Sequence, residues 1–355
     1  MYINVNKPYL PNKNKYYKYL DKIWDSNYLT NFGPLSQELE HRLCKYLNIN
    51  NLLFVSNGTL ALQIAYKILG LRAGDSVITT PFSFVATTST LIWEKLNPIF
   101  CDINSETFCI DTNKIKNLIT PQVRAILPVH VFGNACDVEK LEQIAKENNL
   151  KLIYDAAHAF GVKYKNKSIF EYGDISTISF HATKLFHTIE GGGIIFRDKN
   201  MYDEAKAIIN FGLKNGDVES LGINAKNSEF NAAMGLCVLD DMEFIMQDRE
   251  EVWEYYYKHL KNYFSFQKLT SNNNFHYFPV LFDNEENMMK KVAILNQNNI
   301  FPRRYFYPSL DTLDYCKAKK YCPISFNIAS RILCLPIYVG LSRKEQNEVI
   351  KILLD

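Results

Sequence analysis

Short apolar runs alternate with amphipathic stretches between residues 51 and 196, and this alternation constrains the fold more than any other feature of the sequence. It is typical of strands that alternate with helices around a mostly parallel sheet, because each buried strand needs a helix to cover it. The sequence predicts helices at 59–69 and 137–147, and strands at 52–56, 76–79, 98–102, 125–129, 152–155, 177–180 and 193–196. We therefore expect an α/β fold with a mostly parallel, seven-stranded central sheet flanked by helices.

The sequence beyond Ser228 is organised differently. Helical periodicity runs from 229 to about 264, and the polar stretch 269–275, with three consecutive asparagines, is typical of a loop. The remainder predicts strands and helices in alternation, at 276–282, 285–297, 332–336 and 342–354. We therefore expect a large domain over residues 1–245 and a small C-terminal α/β domain over residues 246–355.

Composition excludes several classes of protein. The 40 Lys and Arg residues nearly balance 38 Asp and Glu, which disfavours recruitment to nucleic acid by bulk charge. No apolar run approaches the ~20 residues that span a bilayer. The start MYINVNKPYL lacks the segments of a signal peptide, and the eight cysteines include no C-x-x-C pair. We expect a cytoplasmic protein with reduced thiols, and no metal, membrane or nucleic-acid partner.

A predicted strand ends at Ser56-Asn57-Gly58-Thr59, where a glycine turn and a hydroxyl residue open the next helix. Free backbone N–H groups at a helix start, with the helix dipole behind them, suit a phosphate. The alternative is a plain strand-to-helix turn with Thr59 as N-cap. The sequence has no G-x-G-x-x-G and no Gly-Lys-Ser/Thr motif, which disfavours a dinucleotide or a nucleoside triphosphate.

Asp155 ends another apolar run and is followed by small residues and His158. A buried carboxylate is costly unless it meets a cation or several hydrogen-bond donors. The protonated ring nitrogen of a pyridine cofactor is one such cation, and a fixed carboxylate beside it keeps the ring an electron sink. The alternative is that Asp155 caps the following turn beside a core histidine.

Lys184 lies between the predicted strand 177–180 and the run Glu190-Gly191-Gly192-Gly193, an unusual place for a lysine that only solubilises. Burial lowers the pKa of an amine, and a neutral amine can form a Schiff base with an aldehyde and then shuttle protons. The alternative is an ordinary solvated lysine. A phosphate-type turn, an acid and a lysine, in this chain order, are what pyridoxal phosphate requires.

The chain also resembles a known family along nearly its whole length. The resemblance is carried by Trp24, YLTNFGPL (28–35), NGT (57–59), PFSFVAT (81–87), PVHVFG (128–133), the aspartate and lysine segments, GIN (222–224), Ser228-Glu229 and LPIY (335–338). Together these motifs resemble the DegT/DnrJ/StrS sugar aminotransferases, which are fold-type I pyridoxal phosphate enzymes. The resemblance implies a large cofactor-binding domain, a small C-terminal domain and a homodimer with active sites at the subunit interface.

The resemblance implies which residues bind the cofactor. Lys184 would be the lysine that forms a Schiff base with it, Asp155 would meet its pyridine nitrogen, and both would be catalytic. His158 would lie near its 3-hydroxyl group, and Phe84 would cover the ring face. Its phosphate would be held by the remaining set: Gly58, Thr59, Ser179 and, from the neighbouring subunit, Asn224.

The resemblance also implies a reaction. The motifs at 79–87 and 179–184 are similar to those of the subgroup that converts dTDP-4-keto-6-deoxyglucose to dTDP-4-amino-4,6-dideoxyglucose, and amination of a 3-keto isomer stays open. We expect L-glutamate as amino donor, 2-oxoglutarate as its product, pyridoxamine phosphate as the intermediate cofactor form, and a role in bacterial surface-glycan or O-antigen biosynthesis. The residues expected near the sugar nucleotide are Thr30, His181, His187, Arg304 and Tyr305, with Arg303 and Tyr307 in the same loop.

Three positions, in two segments, depart from the family pattern. Ile189 stands where relatives carry the first glycine of Gly-Glu-Gly-Gly, so the loop after the lysine is expected to differ in shape. Asn227 stands where many relatives carry methionine, and Ala225 where an aromatic residue is common. The contacts around this hairpin are therefore not predicted.

Three other functions fit parts of the pattern. A nucleotide-sugar dehydratase on the same fold carries histidine in place of the lysine, and a non-catalytic regulator tends to lose the acid and the lysine together. A nicotinamide oxidoreductase fits the α/β alternation but requires a glycine-rich fingerprint that this sequence lacks. The presence of both Asp155 and Lys184 favours the aminotransferase.

Overall fold

A computed structural model describes residues 2–316 and 321–355. Its strands are β1 (Ile3–Asn4), β2 (Leu52–Val55), β3 (Ser76–Thr79), β4 (Asn97–Phe100), β5 (Val123–Leu127), β6 (Lys151–Asp155), β7 (Lys163–Tyr164), β8 (Lys167–Ser168), β9 (Ile175–Ser179), β10 (Gly192–Phe196), β11 (Leu213–Lys214), β12 (Asp217–Val218), β13 (Pro279–Leu281), β14 (Ile300–Phe301) and β15 (Ile332–Cys334). Its α-helices are α1 (Lys13–Ser26), α2 (Pro34–Leu47), α3 (Gly58–Ile68), α4 (Ala86–Trp93), α5 (Thr112–Ile115), α6 (Val138–Glu147), α7 (Lys199–Ile208), α8 (Glu229–Asp240), α9 (Met242–Leu260), α10 (Glu285–Gln297), α11 (Pro323–Arg331) and α12 (Arg343–Leu354).

A seven-stranded sheet forms the centre of the fold, in the order β2-β10-β9-β6-β5-β3-β4. The run from β9 to β4 pairs in parallel, whereas β10 is antiparallel to both β9 and β2. The connections from β3 to β4 and from β5 to β6 contain the helices α4 and α6, whereas the connection from β6 to β9 contains the short strands β7 and β8. The prediction of a mostly parallel, seven-stranded sheet is confirmed, with strand ends that differ from the predicted ones by at most two residues.

Helices cover both faces of this sheet. One face packs against α3 and α7 through an apolar cluster that includes Ala61, Ala65 and Ile208. The other face packs against α2, α6 and α8, where Leu43 and Leu141 belong to the largest apolar cluster. Apart from the edge strand β4, the strands are mostly buried on both sides, which explains why they read as continuous apolar runs in the sequence.

Helix α8 is apolar around its whole circumference and is buried accordingly. It packs against α1 and α2, two helices that the sequence reading did not predict. Its burial reflects the core of a globular fold: within residues 2–316 and 321–355, no helix combines the length and apolar character needed to cross a membrane.

The helical periodicity predicted over 229–264 corresponds to two helices, α8 and α9, which meet at Asp241. That residue leaves helical backbone angles, with φ −102° and ψ 5°. Its carboxylate accepts hydrogen bonds from the Tyr9 hydroxyl at 2.9 Å and from the Lys15 amine at 2.5 Å. The N-terminal segment is thereby attached at the point where the chain changes direction.

The C-terminal part of the chain has its own apolar cluster, which joins α9, α10 and α12 to the antiparallel pair β13–β15. The two strands are shorter than predicted. The chain's N-terminus also enters this region: β1 pairs in parallel with β14, and Ile3 is buried in the cluster. Residues from both ends of the chain therefore build this layer.

Candidate active site

The carboxyl ends of the parallel strands surround a cavity of about 410 Å³. This edge is where open α/β sheets bind their ligands. Asp155 at the end of β6, Ser179 at the end of β9 and Lys184 in the following loop all line it. The sequence reading proposed that the aspartate and the lysine share one cavity, and the structure places them so.

Asp155 is buried, with 6% of its surface exposed. Its Oδ2 accepts a hydrogen bond from Thr87 Oγ1 at 2.7 Å, and its Oδ1 accepts one from the Ala157 backbone N–H at 3.1 Å. Burial raises the pKa of this carboxyl, while these two hydrogen bonds and the charge of Lys184 lower it. Because a carboxylate offers about four lone pairs, Asp155 can still accept from a cationic group in the cavity. The turn cap weighed as an alternative is present as well, in the bond from Ala157.

The amine of Lys184 has no hydrogen-bond or ion-pair partner among the described side chains. Burial lowers its pKa to about 8, although the charge of Asp155 acts to raise it. The peptide before it is held firmly, because the Thr183 carbonyl accepts hydrogen bonds from Asn6 Nδ2 and from His276 Nε2. Lys184 is therefore a fixed residue with a free amine of depressed pKa, unlike a solvated surface lysine.

The start of α3 forms one wall of the cavity. Asn57 is its N-cap and accepts a hydrogen bond from the Leu60 N–H at 2.8 Å, so the alternative that Thr59 caps the helix is wrong. No hydrogen bond inside the described chain uses the backbone N–H of Gly58 or Thr59, which leaves both donors for an anion. A Cβ at Gly58 would lie 3.2 Å from the Ser179 Cβ, so glycine allows the serine to approach this helix start closely.

His158 is buried at the cavity wall and its ring stacks on Phe306, with centroids 5.2 Å apart. Burial lowers its pKa well below the usual value, so the ring is neutral. Its Nδ1 is buried and has no partner in the described part of the chain. Phe84 lines the cavity with 56% of its surface exposed, which leaves its ring free to cover a bound group.

The outer part of the cavity is built from loops. His181 lies on the rim with its Nε2 3.6 Å from a Glu190 carboxylate oxygen, and both residues are exposed. Tyr305 lines the cavity from the C-terminal part of the chain, together with Tyr277 and Phe306. The expectation that His181 and Tyr305 belong to the site agrees with their positions.

Four other candidates do not line this cavity. The Thr30 hydroxyl donates to the Asn227 carbonyl at 3.2 Å, and buried His187 donates from Nε2 to the Tyr9 carbonyl at 2.7 Å. Arg304 is occupied elsewhere, because its guanidinium pairs with Glu285 at 2.5 Å and lies over the Tyr307 ring. Asn224 is exposed outside the cavity, so within one chain it does not reach the start of α3.

Thr30, His187 and Arg304 therefore make contacts within the single chain, and their place near the sugar nucleotide stays a prediction. Each of the three makes a polar contact within the fold, although the buried Nε of Arg304 has no partner in the described chain. The sequence carries no local signal for these contacts, because every partner is distant along the chain. Asn224 differs from them in that its side chain stays exposed, as an intersubunit role requires.

The wall residues fit pyridoxal phosphate. The two open N–H groups at the start of α3 suit its phosphate, and Asp155 has lone pairs left for a protonated ring nitrogen. A free lysine amine faces the same space, and the orphaned Nδ1 of His158 shows that the protein alone does not satisfy this wall. Anion cradle, acid and amine are the three groups that the cofactor needs.

The sequence reading missed three residues that line the cavity, Ser83, Tyr277 and Phe306, and one buried residue that bonds to Asp155, Thr87. Ser83 and Thr87 lie inside the motif PFSFVAT, and their hydroxyl groups form a hydrogen-bonded pair 2.7 Å apart. Two hydroxyl residues four positions apart could have indicated a hydrogen-bonded pair, because such positions lie on one face of a helix. Tyr277 and Phe306 give no such signal, since aromatic residues in a C-terminal strand and loop read as core.

Two of the departures from the family pattern lie close together, because Asn227 bonds to the residue that follows Ile189. Asn227 Nδ2 donates to the Glu190 carbonyl at 3.0 Å and to the Val55 carbonyl at 3.2 Å. Ile189, one residue before Glu190, has a φ of 68°, a left-handed conformation that a β-branched residue rarely adopts. The loop thus retains a backbone shape that suits glycine although it carries isoleucine.

Comparison with known proteins places this site in context. Residues 12–354 match the model of the DegT/DnrJ/EryC1/StrS aminotransferase family. The chain is 40% identical to a dTDP-4-amino-4,6-dideoxy-D-glucose transaminase of Shigella dysenteriae, over 96% of this chain and 95% of the relative, and 37% identical to one of Escherichia coli, over 99% and 98%. Among solved structures, DesI in the presence of its TDP-sugar product superimposes with a TM-score of 0.93 at 29% identity, over 99% of this chain and 92% of DesI.

Proposed function

The chain belongs to the DegT/DnrJ/EryC1/StrS aminotransferase family and is a pyridoxal-phosphate-dependent sugar aminotransferase, and from this premise we propose its substrates. The proposed reaction transfers the amino group of L-glutamate to the C4 keto carbon of dTDP-4-keto-6-deoxyglucose and yields dTDP-4-amino-4,6-dideoxyglucose. One observation carries the chemistry: Asp155, Lys184 and the open start of α3 line a single cavity. Bound pyridoxal phosphate supplies an aldehyde carbon that can exchange amino groups and a cationic ring that accepts electrons.

Asp155 holds a proton at the ring nitrogen in this proposal. A carboxylate in a dry cavity stabilises a facing cation far more than it would in water, so it keeps the ring cationic while negative charge develops at the reacting carbon. The stabilisation is greater in the transition state than in the ground state, which is the requirement for catalysis. Gly58, Thr59 and Ser179 orient the phosphate and with it the reacting carbon.

Lys184 removes a proton from the α-carbon of the amino donor and returns it at the adjacent cofactor carbon. A pKa of about 8 suits this task, because the amine is available in both protonation states near neutral pH. His158 and Phe84 keep water from the reacting atoms by packing at the cavity wall. The same residues act in reverse order when the keto sugar takes the place of the amino-acid product.

The identity of the sugar substrate is supported by the relatives. The two transaminases at 40% and 37% identity are named for dTDP-4-amino-4,6-dideoxy-D-glucose, and the 29% identical DesI was crystallised with a TDP-sugar product. Position C4 is therefore proposed over position C3. A 4-amino-6-deoxysugar of this kind suits bacterial surface glycans such as O-antigen, which we propose as its destination.

We also propose that the enzyme works as a cytoplasmic homodimer. Asn224 lies exposed outside its own cavity, where it can serve the phosphate site of a second copy. Exposed apolar side chains occur on the same hairpin, with Phe211 at 53% and Leu221 at 77% exposure, and a second copy would cover them. The partner subunit would then complete the anion cradle at Gly58.

A direct assay tests this proposal. The purified protein is incubated with pyridoxal phosphate, L-glutamate and, separately, 4-keto and 3-keto dTDP-6-deoxysugars and a GDP-linked 4-keto sugar. We expect 2-oxoglutarate and an amino sugar from the dTDP-4-keto substrate, read by product mass, with the aminated carbon located by NMR. Amination of only the 3-keto sugar or of only the GDP sugar would contradict the proposed substrate and identify another one. Loss of water without amination would support the dehydratase instead.

A further inference from the structure

Two hydroxyl groups form a chain that ends on the Asp155 carboxylate. Ser83 Oγ lies 2.7 Å from Thr87 Oγ1, and Thr87 Oγ1 lies 2.7 Å from Asp155 Oδ2. The three side chains are buried, with exposed fractions of 2%, 0% and 6%. Ser83 and Asp155 both line the cavity, so the chain runs along its wall.

The direction of these hydrogen bonds follows from the last acceptor. An ionised carboxylate accepts and cannot donate, so the hydroxyl hydrogen of Thr87 lies toward Asp155. Thr87 has only one such hydrogen, and the hydrogen between the two hydroxyls must therefore come from Ser83. Both dipoles then align toward the negative charge, and each hydrogen bond strengthens the other.

The neighbouring threonines show that this arrangement is particular to Thr87. Helix α4 carries three buried threonines although threonine is a weak helix former. The Thr90 hydroxyl bonds to Tyr66 and to the Ala86 carbonyl, and the Thr88 hydroxyl has no partner in the described chain. Of the three, Thr87 bonds to the cavity acid.

We propose that Thr87, supported by Ser83, is a positioning residue that keeps Asp155 ionised and aims its free lone pairs at the ring nitrogen of bound pyridoxal phosphate. This inference rests on the role proposed above for Asp155. Burial by itself favours a neutral acid, which would leave the ring nitrogen without a counter-charge. A hydrogen bond donated to an ionised group is about twice as strong as one between neutral groups, so Thr87 opposes that tendency directly.

The test compares two ligands that differ only at the ring nitrogen. Dissociation constants are measured for pyridoxal phosphate and for its 1-deaza analogue, which has carbon in place of that nitrogen, with wild-type protein, Thr87→Val, Thr87→Ser and Thr88→Val. We expect Thr87→Val to weaken pyridoxal phosphate binding roughly ten- to a hundredfold and to leave analogue binding within about twofold of wild type. Thr87→Ser keeps the donor and should bind both ligands as wild type does.

Thr88→Val is the matched control, because it makes the same isosteric change at an adjacent, equally buried residue whose hydroxyl bonds to nothing described. It should leave both dissociation constants unchanged. Ser83→Ala should weaken pyridoxal phosphate binding in the same direction as Thr87→Val but by less. Denaturant unfolding of each variant separates ligand effects from loss of fold.

Two results would overturn the inference. If Thr87→Val bound pyridoxal phosphate as tightly as wild type, the hydroxyl would have no influence on Asp155. If it lost both ligands equally, Thr87 would serve packing alone. Failure of the proposed function gives a distinct result: the wild-type protein itself would then show no preference for pyridoxal phosphate over the deaza analogue.

Discussion

Two buried acids in this molecule, Glu229 and Asp155, differ in how far the fold satisfies their carboxylates. Glu229, at the start of α8, is 1% exposed and accepts three hydrogen bonds at the start of α2: from the Leu35 N–H, the Ser36 N–H and the Ser36 hydroxyl. Asp155 is almost as buried but accepts only two, and the rest of its capacity faces a cavity. The fold supplies most of the donors that the first carboxylate can accept from, and only about half of those for the second.

This difference separates structural from chemical use of the same group. Glu229 replaces a missing side-chain cap at α2, where Gly33 is the N-cap residue and a Cβ on it would lie 2.4 Å from the Glu229 carboxyl carbon. Its charge is balanced by backbone donors, so removing it should cost stability. The charge of Asp155 is only partly balanced by the protein. A buried charge of this kind indicates a binding site for a group that completes the balance.

The largest expected effect concerns the unpaired amine beside Asp155. Lys184→Ala removes both the nucleophile and the proton carrier, so turnover should fall by at least about 10⁴-fold. The readout is amino-sugar formation, together with borohydride reduction of the loaded protein and mapping of the modified peptide. Lys199→Ala is the control, because its amine is exposed and its ion pair among the described residues is with Asp203. A cofactor absorbance band identical to wild type in Lys184→Ala would contradict the assignment.

Asp155→Asn keeps the shape and removes the charge. The rate should fall roughly a hundred- to a thousandfold, as when one preorganised electrostatic group is removed from a site. Stability should change little or rise, because a desolvated charge is lost and the Thr87 hydroxyl can reorient toward the amide. Turnover and denaturant unfolding are measured on the same samples. If stability fell while turnover persisted, Asp155 would be a structural acid like Glu229.

Much of the inner site could be predicted from the sequence because its signals are local. Three motifs can each be identified within a few residues: an acid at the end of a buried strand, a lysine before glycines, and Asn57-Gly58-Thr59 at a strand-to-helix turn. Local patterns also fixed the seven strands. Local patterns could not show that Thr87 is the partner of Asp155, because the two residues are 68 positions apart. They also offered Thr59 as the N-cap of α3, whereas the N-cap is Asn57.

The residues expected in the outer site make contacts with distant partners, which local patterns do not show. Arg304 reads as a free cation in the sequence, but the fold pairs it with Glu285 and the Ser330 carbonyl. His187 likewise carries no local signal for its hydrogen bond to the Tyr9 carbonyl. Substrate choice therefore has to be examined at the residues that do line the rim, such as His181, Glu190 and Tyr277.

The third prediction concerns Glu229. Glu229→Gln places an amide NH₂ against backbone N–H donors of α2, which leaves buried donors unpaired and should lower the free energy of unfolding by about 3 kcal/mol. The measurement is denaturant unfolding of the cofactor-free protein. Activity per folded molecule, measured well below the unfolding transition, should stay near wild type. An unchanged unfolding midpoint would show that the three hydrogen bonds to Glu229 are not stabilising.

The pH dependence of cofactor capture tests the coupling between Asp155 and Lys184. Only the neutral amine attacks the aldehyde, so the capture rate of cofactor-free protein should rise about tenfold per pH unit and level off near pH 8, the depressed pKa of Lys184. The charge of Asp155 raises that pKa, so Asp155→Asn should move the midpoint to lower pH. Rapid-mixing absorbance between pH 6 and 10 gives both curves. A rise that continues to the ordinary lysine pKa of about 10.4 would show that Lys184 is not desolvated.

The smallest expected effect concerns the loop that contains Ile189 and Glu190, between the Asp155 site and Glu229. Ile189 precedes Glu190, whose carbonyl is held by Asn227, two residues before Glu229. Its φ of 68° is strained for isoleucine, and 42% of the side chain is exposed, so little burial opposes removal. Ile189→Gly should therefore raise the free energy of unfolding by up to about 1 kcal/mol, after the greater unfolded-state freedom of glycine is subtracted. Ile223→Gly is the matched control: it is 41% exposed and outside the set of positive-φ residues, so the same change there should destabilise. If both variants lost stability equally, the Ile189 side chain would have a stabilising contact, and the exposed rim would be the place to seek it.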